Sequence, residues 1–429
     1  MIGGLKQTTS RLAIAAAAGL FTGGIALTPV QAADLGGDCC ADLEERVAEL
    51  EATTVRKGNR KVSVKLSGQV NRAVLHWDDG HDDDLFQVDN ESSSTRFRIT
   101  GSASISPGRS AGFRIEADWF IQNNSSVVTN CAFSSFNGST HCMSRGSGVT
   151  GNGAYGQGKV PTASNVTDMR WQEVWIKDER LGKVSLGQGD TASNGMSEVD
   201  LSGTSVAMYA AMADIGGSFR YRTAGGGFSG VTVGSSYSQL DGLSRGTRIR
   251  YDTPSLVGFT LSGSTGADDK TDIALRFKKE WNSVRCAVAI AYAHDTEEKN
   301  DDFEIMGGSG SCIHTPSGVN LTIGYTELDQ NDSRPQDFDD TQWAFIKVGI
   351  SRRWNSHGKT NIAVQYAQVE NRVSDGDDTD AWGIAIVQKI DSAALELYAA
   401  YTHYEYDDNT VGLSYQDMDF ILLGTRMKF

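Results

Sequence analysis

The residues able to do chemistry are poorly placed for covalent catalysis. His76, His81, His141, His294, His314, His357 and His403 are scattered, and no Gly-x-Ser-x-Gly, phosphate loop or His-x-x-x-His pair occurs. A general base must sit within hydrogen-bond reach of its nucleophile, so an enzyme is not expected. The six cysteines fit an oxidising compartment and lack metal-site spacing, which implies neither a metal nor a cofactor. Cys131 and Cys142 share one long loop and could clip it. Cys286 and Cys312 lie on successive segments and would pair if their registers match, free thiols being the competing reading. Cys39 and Cys40 are adjacent, where a bond between neighbours is strained and a bond between subunits is the alternative. Charged residues at every second position are the more promising feature. Arg96 and Arg98 alternate with Phe97 and Ile99, and Arg114, Glu116 and Asp118 alternate with Phe113, Ile115 and Ala117.

Such charges must be carried by β-strands, whose side chains alternate between two faces. From Lys61 to the end the pattern has period two. Val62, Val64, Leu66, Gly68 and Val70 form one apolar face against Lys61, Ser63, Lys65, Ser67 and Gln69. In a soluble sandwich the charged face would meet bulk water, and in a transmembrane barrel it would line a lumen. The connections favour the barrel. Tight turns, such as Asp178 to Gly182, Trp281 to Ser283 and Asn355 to Gly358, alternate with polar loops, such as Asp78 to Ser94 and Asn123 to Thr167. Counting segments predicts an all-β antiparallel barrel of 18 strands, with 16 as the alternative if one hairpin is merged. The segments include 217–223 and 228–239. Either number leaves an aqueous lumen.

Composition agrees. With 39% hydrophobic residues, 48 Gly and a mean hydropathy of -0.33, the chain has no second apolar run able to span a bilayer as a helix. A barrel hides its membrane signal by alternation, so low hydropathy does not exclude the membrane. The net charge of -15 argues against nucleic acid as a partner. Lys6 and Arg11 precede an uncharged stretch closing on Val30-Gln31-Ala32, which predicts a signal peptide over 1–32. Leu43, Val47 and Leu50 follow at spacings of four and three, the seam of a short coiled coil within a helical segment and linker at 33–60. The barrel is then 61–429. Trp77, Trp119, Tyr292, Tyr325 and Tyr366 are expected on the lipid face or near strand ends, as interfacial girdles.

Four stretches carry a family resemblance. They are Asp42-Leu-Glu-Glu-Arg-Val-Ala-Glu-Leu-Glu-Ala with Arg56-Lys-Gly-Asn-Arg-Lys-Val, the run Leu186-Gly-Gln-Gly-Asp-Thr, Arg248-Ile-Arg-Tyr-Asp-Thr-Pro-Ser-Leu-Val-Gly-Phe, and terminal Phe429. The chain resembles a Gram-negative general porin, nearest the alphaproteobacterial, rhizobial-type branch. The resemblance implies an outer-membrane homotrimer forming a passive water-filled channel for ions and small hydrophilic solutes. The alternatives are a substrate-specific channel and a structural or adhesive barrel. Partners implied are outer-membrane lipid and the barrel-assembly machinery, whose signal Phe429 resembles. It also implies a loop at about 190–216 folded into the lumen, offering Asp190, Glu198, Asp200 and Asp214 against a basic wall of Arg96, Arg98, Arg114 and Arg170.

Overall fold

The computed structural model describes residues 61–119, 124–136, 139–143, 167–266, 270–295, 303–330, 339–410 and 412–429. The expected signal peptide, the Leu43, Val47 and Leu50 seam, and Cys39 and Cys40 lie outside the described residues, as does the side chain of Cys142. The chain divides into Met1–Thr53 and Thr54–Phe429, and the strands belong to the second unit.

The strands are β1 Ser63–Asp78, β2 Asp83–Asp89, β3 Arg96–Ser106, β4 Arg109–Trp119, β5 Ala132–Phe136, β6 Ser139–Met143 and β7 Thr167–Asp178. Then come β8 Gly182–Asp190, β9 Arg220–Arg222, β10 Phe228–Thr232, β11 Arg245–Asp252, β12 Phe259–Gly266, β13 Thr271–Trp281 and β14 Val284–Asp295. The last are β15 Phe303–His314, β16 Val319–Asp329, β17 Thr341–Arg352, β18 Thr360–Glu370, β19 Asp377–Ile390, β20 Leu395–Asp408 and β21 Met418–Lys428. Seventeen form one antiparallel sheet, which closes where β21 pairs with β1. Sixteen make the barrel. The extra one, β2, pairs with the upper half of β1 while β3 takes its lower half.

The sequence reading counts eighteen strands, and two of them are not in the wall. Segments 217–223 and 228–239 hold only the three-residue β9 and the five-residue β10, which pair with each other alone. A tilted strand needs about 9–11 residues to cross the hydrocarbon core, so neither can span it. Instead Phe219, Tyr221 and Tyr237 are buried. After β10 the chain makes one helical turn, Val233–Ser236, capped by Thr232.

Alternation sorts the wall into two faces. On β14, Val288, Ile290 and Tyr292 point outward and are exposed, while Ala289, Ala291 and Ala293 are buried. The outward set continues with Leu261, Ile273, Ile323, Tyr325, Val348, Val364, Tyr366 and Ile384, an apolar band suited to lipid. Among the described residues no helix is long and apolar enough to cross a membrane. Trp77 is near a strand end, one residue before the last of β1, and not on the lipid face. It faces inward at 3% exposure against Phe86 and Phe219, because the even-numbered side of β1 is the outward one. The side chain of Trp119 is outside the described residues.

The inward face is not uniformly polar. From β14 round to β1 it carries small residues, among them Ala289, Ala363, Ala367, Ala381, Ala385, Ala400 and Ala73. These form one apolar cluster with Met196, Val206, Met208, Ile215, Phe219 and Tyr237 of the segment between β8 and β11. That segment therefore folds into the lumen and fills one side of it, small wall residues leaving it room. The charged side, from β3 to β11, stays free.

Candidate pore constriction

Barrel side chains satisfy the backbone of the inward segment. At its start Ser193 N donates to Asp272 Oδ2 at 2.6 Å and Ala192 N to Ser264 Oγ at 2.9 Å. Val199 N and Leu201 N then donate to Ser309 Oγ and Ser311 Oγ, each at 3.0 Å. Gln365 Nε2 donates to Tyr209 O at 3.0 Å, Tyr404 Oη to Met212 O at 2.6 Å, and Asn90 Nδ2 to Val206 O at 2.7 Å. Lys347 Nζ, wholly buried, donates to Met208 O and pairs with Asp200, both at 2.8 Å.

The opposite wall is a cluster of arginines around carboxylates. Glu116 on β4 has no exposed side-chain surface and meets four guanidiniums: Arg96 at 3.4 Å, Arg114 at 2.6 Å, Arg170 at 3.2 Å, and Arg98. Asp118 adds Arg170 at 3.0 Å and Arg96 at 3.7 Å. Register explains the gathering, since Arg98 lies opposite Glu116 and Arg96 opposite Asp118. A β-bulge explains Arg170. On β4, Glu116 pairs with Trp171 and the next residue, Ala117, with Met169, which leaves Arg170 as the extra residue. Arg170 and its neighbour Trp171 thus both turn inward, and Arg114, Arg245 and Arg170 stand 3.5, 4.9 and 5.6 Å from the Trp171 ring. Glu173 on the same face pairs with Arg248 at 2.6 Å.

Between wall and inward segment lies a polar cavity of 590 Å³. It is lined by Arg96, Arg170, Arg245 and Arg426, by Glu198, Asp214 and Asp241 of the inward segment, and by Glu91 of the turn between β2 and β3. Of the expected acids, Glu198 and Asp214 are here. Asp190 is at the end of β8, paired with Arg245 at 3.0 Å. Asp200 is a correction: it points away from the gap, drawn to the buried ammonium of Lys347 on the wall at 2.8 Å, although Glu198 two residues before it lines the cavity. Of the expected bases, Arg96 and Arg170 line the cavity, while Arg98 and Arg114 share Glu116 outside the lining.

Sequence reasoning missed Glu91, Asp241, Arg245 and Arg426. Glu91 opens a short 3-10 turn before β3, and Asp241 receives Gly195 N, Ser197 N and Ser197 Oγ at 2.7, 3.0 and 2.8 Å. Neither location has a strand period to reveal it. The loop acids hold protons more tightly than usual. Burial, with Asp214 next in size, pushes Glu91 up to about 8, and burial followed by Asp241 does the same for Glu198. Burial raises Asp214 to about 6 and also raises Asp241.

Cys286 and Cys312 form a disulfide between directly opposed residues of β14 and β15. Cys131 is also disulfide-bonded. Phe429 is exposed, and its backbone exchanges hydrogen bonds with Gly68 at 2.8 and 3.1 Å.

A family model described as Gram-negative porin matches residues 13–409. No curated protein sequence matches. Among solved structures, the anion-selective porin from Comamonas acidovorans is 15% identical with a TM-score of 0.53, covering 86% of this chain and 100% of its own. The trimer form of OmpT, an outer membrane protein of Vibrio cholerae, is 12% identical at a TM-score of 0.52, covering 86% of this chain and 99% of its own. The outer membrane channel DcaP of Acinetobacter baumannii is 10% identical at 0.52, with 87% and 99% covered. At these identities the likeness is one of fold.

Proposed function

The chain belongs to the Gram-negative porin family and is an outer-membrane β-barrel channel for small solutes, and from that premise we propose that the cavity between Arg96, Arg170, Arg245 and Arg426 and the acids of the inward segment is its constriction. The observation that carries this is the division of the lumen. One side of the barrel is filled by segment 191–244 against small wall residues, so a solute must pass along the charged side. There, opposed charges impose a transverse field that orients dipolar solutes and disfavours apolar ones. The pathway is passive and open to ions and small hydrophilic solutes.

The assembled state we propose is a homotrimer, supported by the trimer form of the Vibrio cholerae protein with this fold. The Leu43, Val47 and Leu50 seam of the sequence is a further place where three copies could meet. Phe429, exposed at the end of β21, is proposed as the residue read by the assembly machinery.

Planar-bilayer recording of the purified protein tests the channel. Steady ohmic conductance that is lowered by sugar polymers small enough to enter the lumen, and restored as larger ones are excluded, is the expected result. A folded barrel that stays closed to ions would make the inward segment a plug and the protein a structural one.

A further inference from the structure

We infer that the outer face of the barrel carries a lipid site: an acyl chain seats in a furrow along β15, and a protonated amine at the polar end of the same lipid lies beside Glu304 and Glu327. The site faces the membrane, not the lumen, and goes beyond the channel reading.

The furrow follows from which side chains are missing. Outward positions on β14 carry Val288, Ile290 and Tyr292, and those on β16 carry Ile323 and Tyr325, but β15 between them turns Gly308 and Gly310 outward. Register sets Gly308 between Ile290 and Tyr325, and Gly310 between Val288 and Ile323. Two rows of large side chains thus flank a bare strand. The cavity has a volume of 810 Å³, and apart from Ser309 its lining is aliphatic, aromatic or glycine.

The two glycines differ in what demands them. A Cβ at Gly308 would run into Ala289 O, so the backbone of β14 excludes a side chain there. At Gly310 the nearest atom to a Cβ would be Val288 Cγ2 at 3.4 Å, an ordinary contact, and its φ is not left-handed. A glycine inside a strand weakens it, so local stability does not favour one at 310. What that glycine supplies is open space on the face turned to lipid.

The furrow is continuous with the apolar band, whose neighbour is hydrocarbon, and an unfilled trough would forfeit dispersion contacts along its floor. From Met306 to Gly310 it runs about 13 Å at ~3.3 Å per residue, close to half of a hydrocarbon core about 30 Å thick. That length suits a chain from one leaflet. Its polar end is marked by Tyr325, whose Oη donates to Glu327 Oε2 at 3.2 Å. Glu304, outward on β15 and half exposed, has His294 Nε2 at 3.9 Å. Among the described residues neither carboxylate has a Lys or Arg partner. Two such charges attract an ammonium headgroup and repel a purely anionic one.

The test uses the purified full-length protein, stripped of lipid in detergent and offered phosphatidylethanolamine or phosphatidylglycerol of equal chain length, with retained lipid counted by native mass spectrometry. The native protein is expected to retain phosphatidylethanolamine several-fold better than phosphatidylglycerol. Gly310→Leu, which fills the floor of the furrow, should lower that retention roughly fivefold or more. Val364→Phe, which adds bulk to the lipid face three strands away, should leave it at the native level. Heat-modifiable migration on a gel shows that each variant barrel is folded. The inference is overturned if the native protein retains neither lipid or both alike, if folded Gly310→Leu retains as much as the native protein, or if Val364→Phe loses as much as Gly310→Leu. It is overturned too if folded Gly310→Leu runs as a monomer where the native protein runs as an oligomer, since the furrow is then an interface between copies.

Discussion

Lys347 Nζ and Asp200 Oδ2 stand 2.8 Å apart, and the lysine side chain has no exposed surface. The lysine is on the wall and the aspartate on the inward segment, so one buried ion pair ties that segment to the barrel. Met208 O, 2.8 Å from the same ammonium, ties it a second time. The barrel thus defines the width of the gap from behind, through a contact that no solute touches.

Replacing Lys347 with Met should leave Asp200 as a buried charge without a partner, at a cost of about 3–5 kcal/mol. The strands do not depend on this pair, so the barrel should fold while the segment loosens. Single-channel recordings are expected to show increased open-state noise, and Lys347→Met combined with Asp200→Asn should quieten it. Native-like noise in the single variant would mean that the Ser309, Ser311 and Tyr404 contacts suffice.

Glu116 and Arg98 should act in opposite directions. Glu116→Gln removes the carboxylate shared by four arginines, releasing positive charge, and reversal potential is expected to move toward anions. Arg98→Ala is expected to move it toward cations. Shifts of the same sign would show that the wall acts by shape rather than by charge.

Selectivity should depend on pH with a sign set by the loop acids. A carboxyl whose pKa is raised is neutral below that pKa and charged above it. Glu91 and Glu198 at about 8 and Asp214 at about 6 therefore gain charge as pH rises from about 5 to 9. Cation preference should rise over that interval and flatten above it. The groups around them include the guanidiniums of Arg96, Arg170, Arg245 and Arg426, and Tyr209, which is held well above its ordinary value by burial. Asp190 is paired with Arg245, and Glu116 and Asp118 with the arginine wall. Reversal potentials at unit steps of pH provide the check, and a flat profile would place these acids outside the conducting path.

Arg222 should hold the β9–β10 hairpin at the mouth. Its guanidinium, buried at 0% exposure, reaches Asp79 at 2.9 Å and Asp82 at 2.8 Å on the turn between β1 and β2. Lysine cannot offer a planar fork to two carboxylates. Arg222→Lys is expected to make the hairpin tip at Gly225 to Gly227 sensitive to protease added outside intact cells, leaving the wall resistant. Equal resistance in the variant would assign the hold to the Thr223 and Tyr415 bridge instead.

Much of this protein was legible from local rules. Period-two alternation marks the outward residues Val288, Ile290 and Tyr292 as clearly in sequence as in space, because a strand's side chains must alternate whatever surrounds it. The same rule places Arg96, Arg98 and Arg114 on one face, and the sixteen wall strands are all among the segments so read. What it cannot do is tell a wall strand from a strand-like stretch with another destination. Segments 217–223 and 228–239 obey local preferences for extended structure, yet they turn inward because alanines on β14, β18, β19 and β20 leave a space there, and that space exists only once the barrel has closed. Nor can alternation give the depth of a loop acid. Asp200 and Glu198 are two residues apart, and only the position of Lys347, far along the chain on β17, draws one to the wall and leaves the other in the gap. Glu91 and Asp241 carry no periodic signal, and Arg426, though on the inward face of β21, joins them only once the barrel has closed. The sequence alone determined the class of wall and its two faces, since those follow from neighbours along the chain. Closure of the β1 and β21 seam decided which charges meet, since Coulomb interactions depend on distance in space and not on separation in sequence.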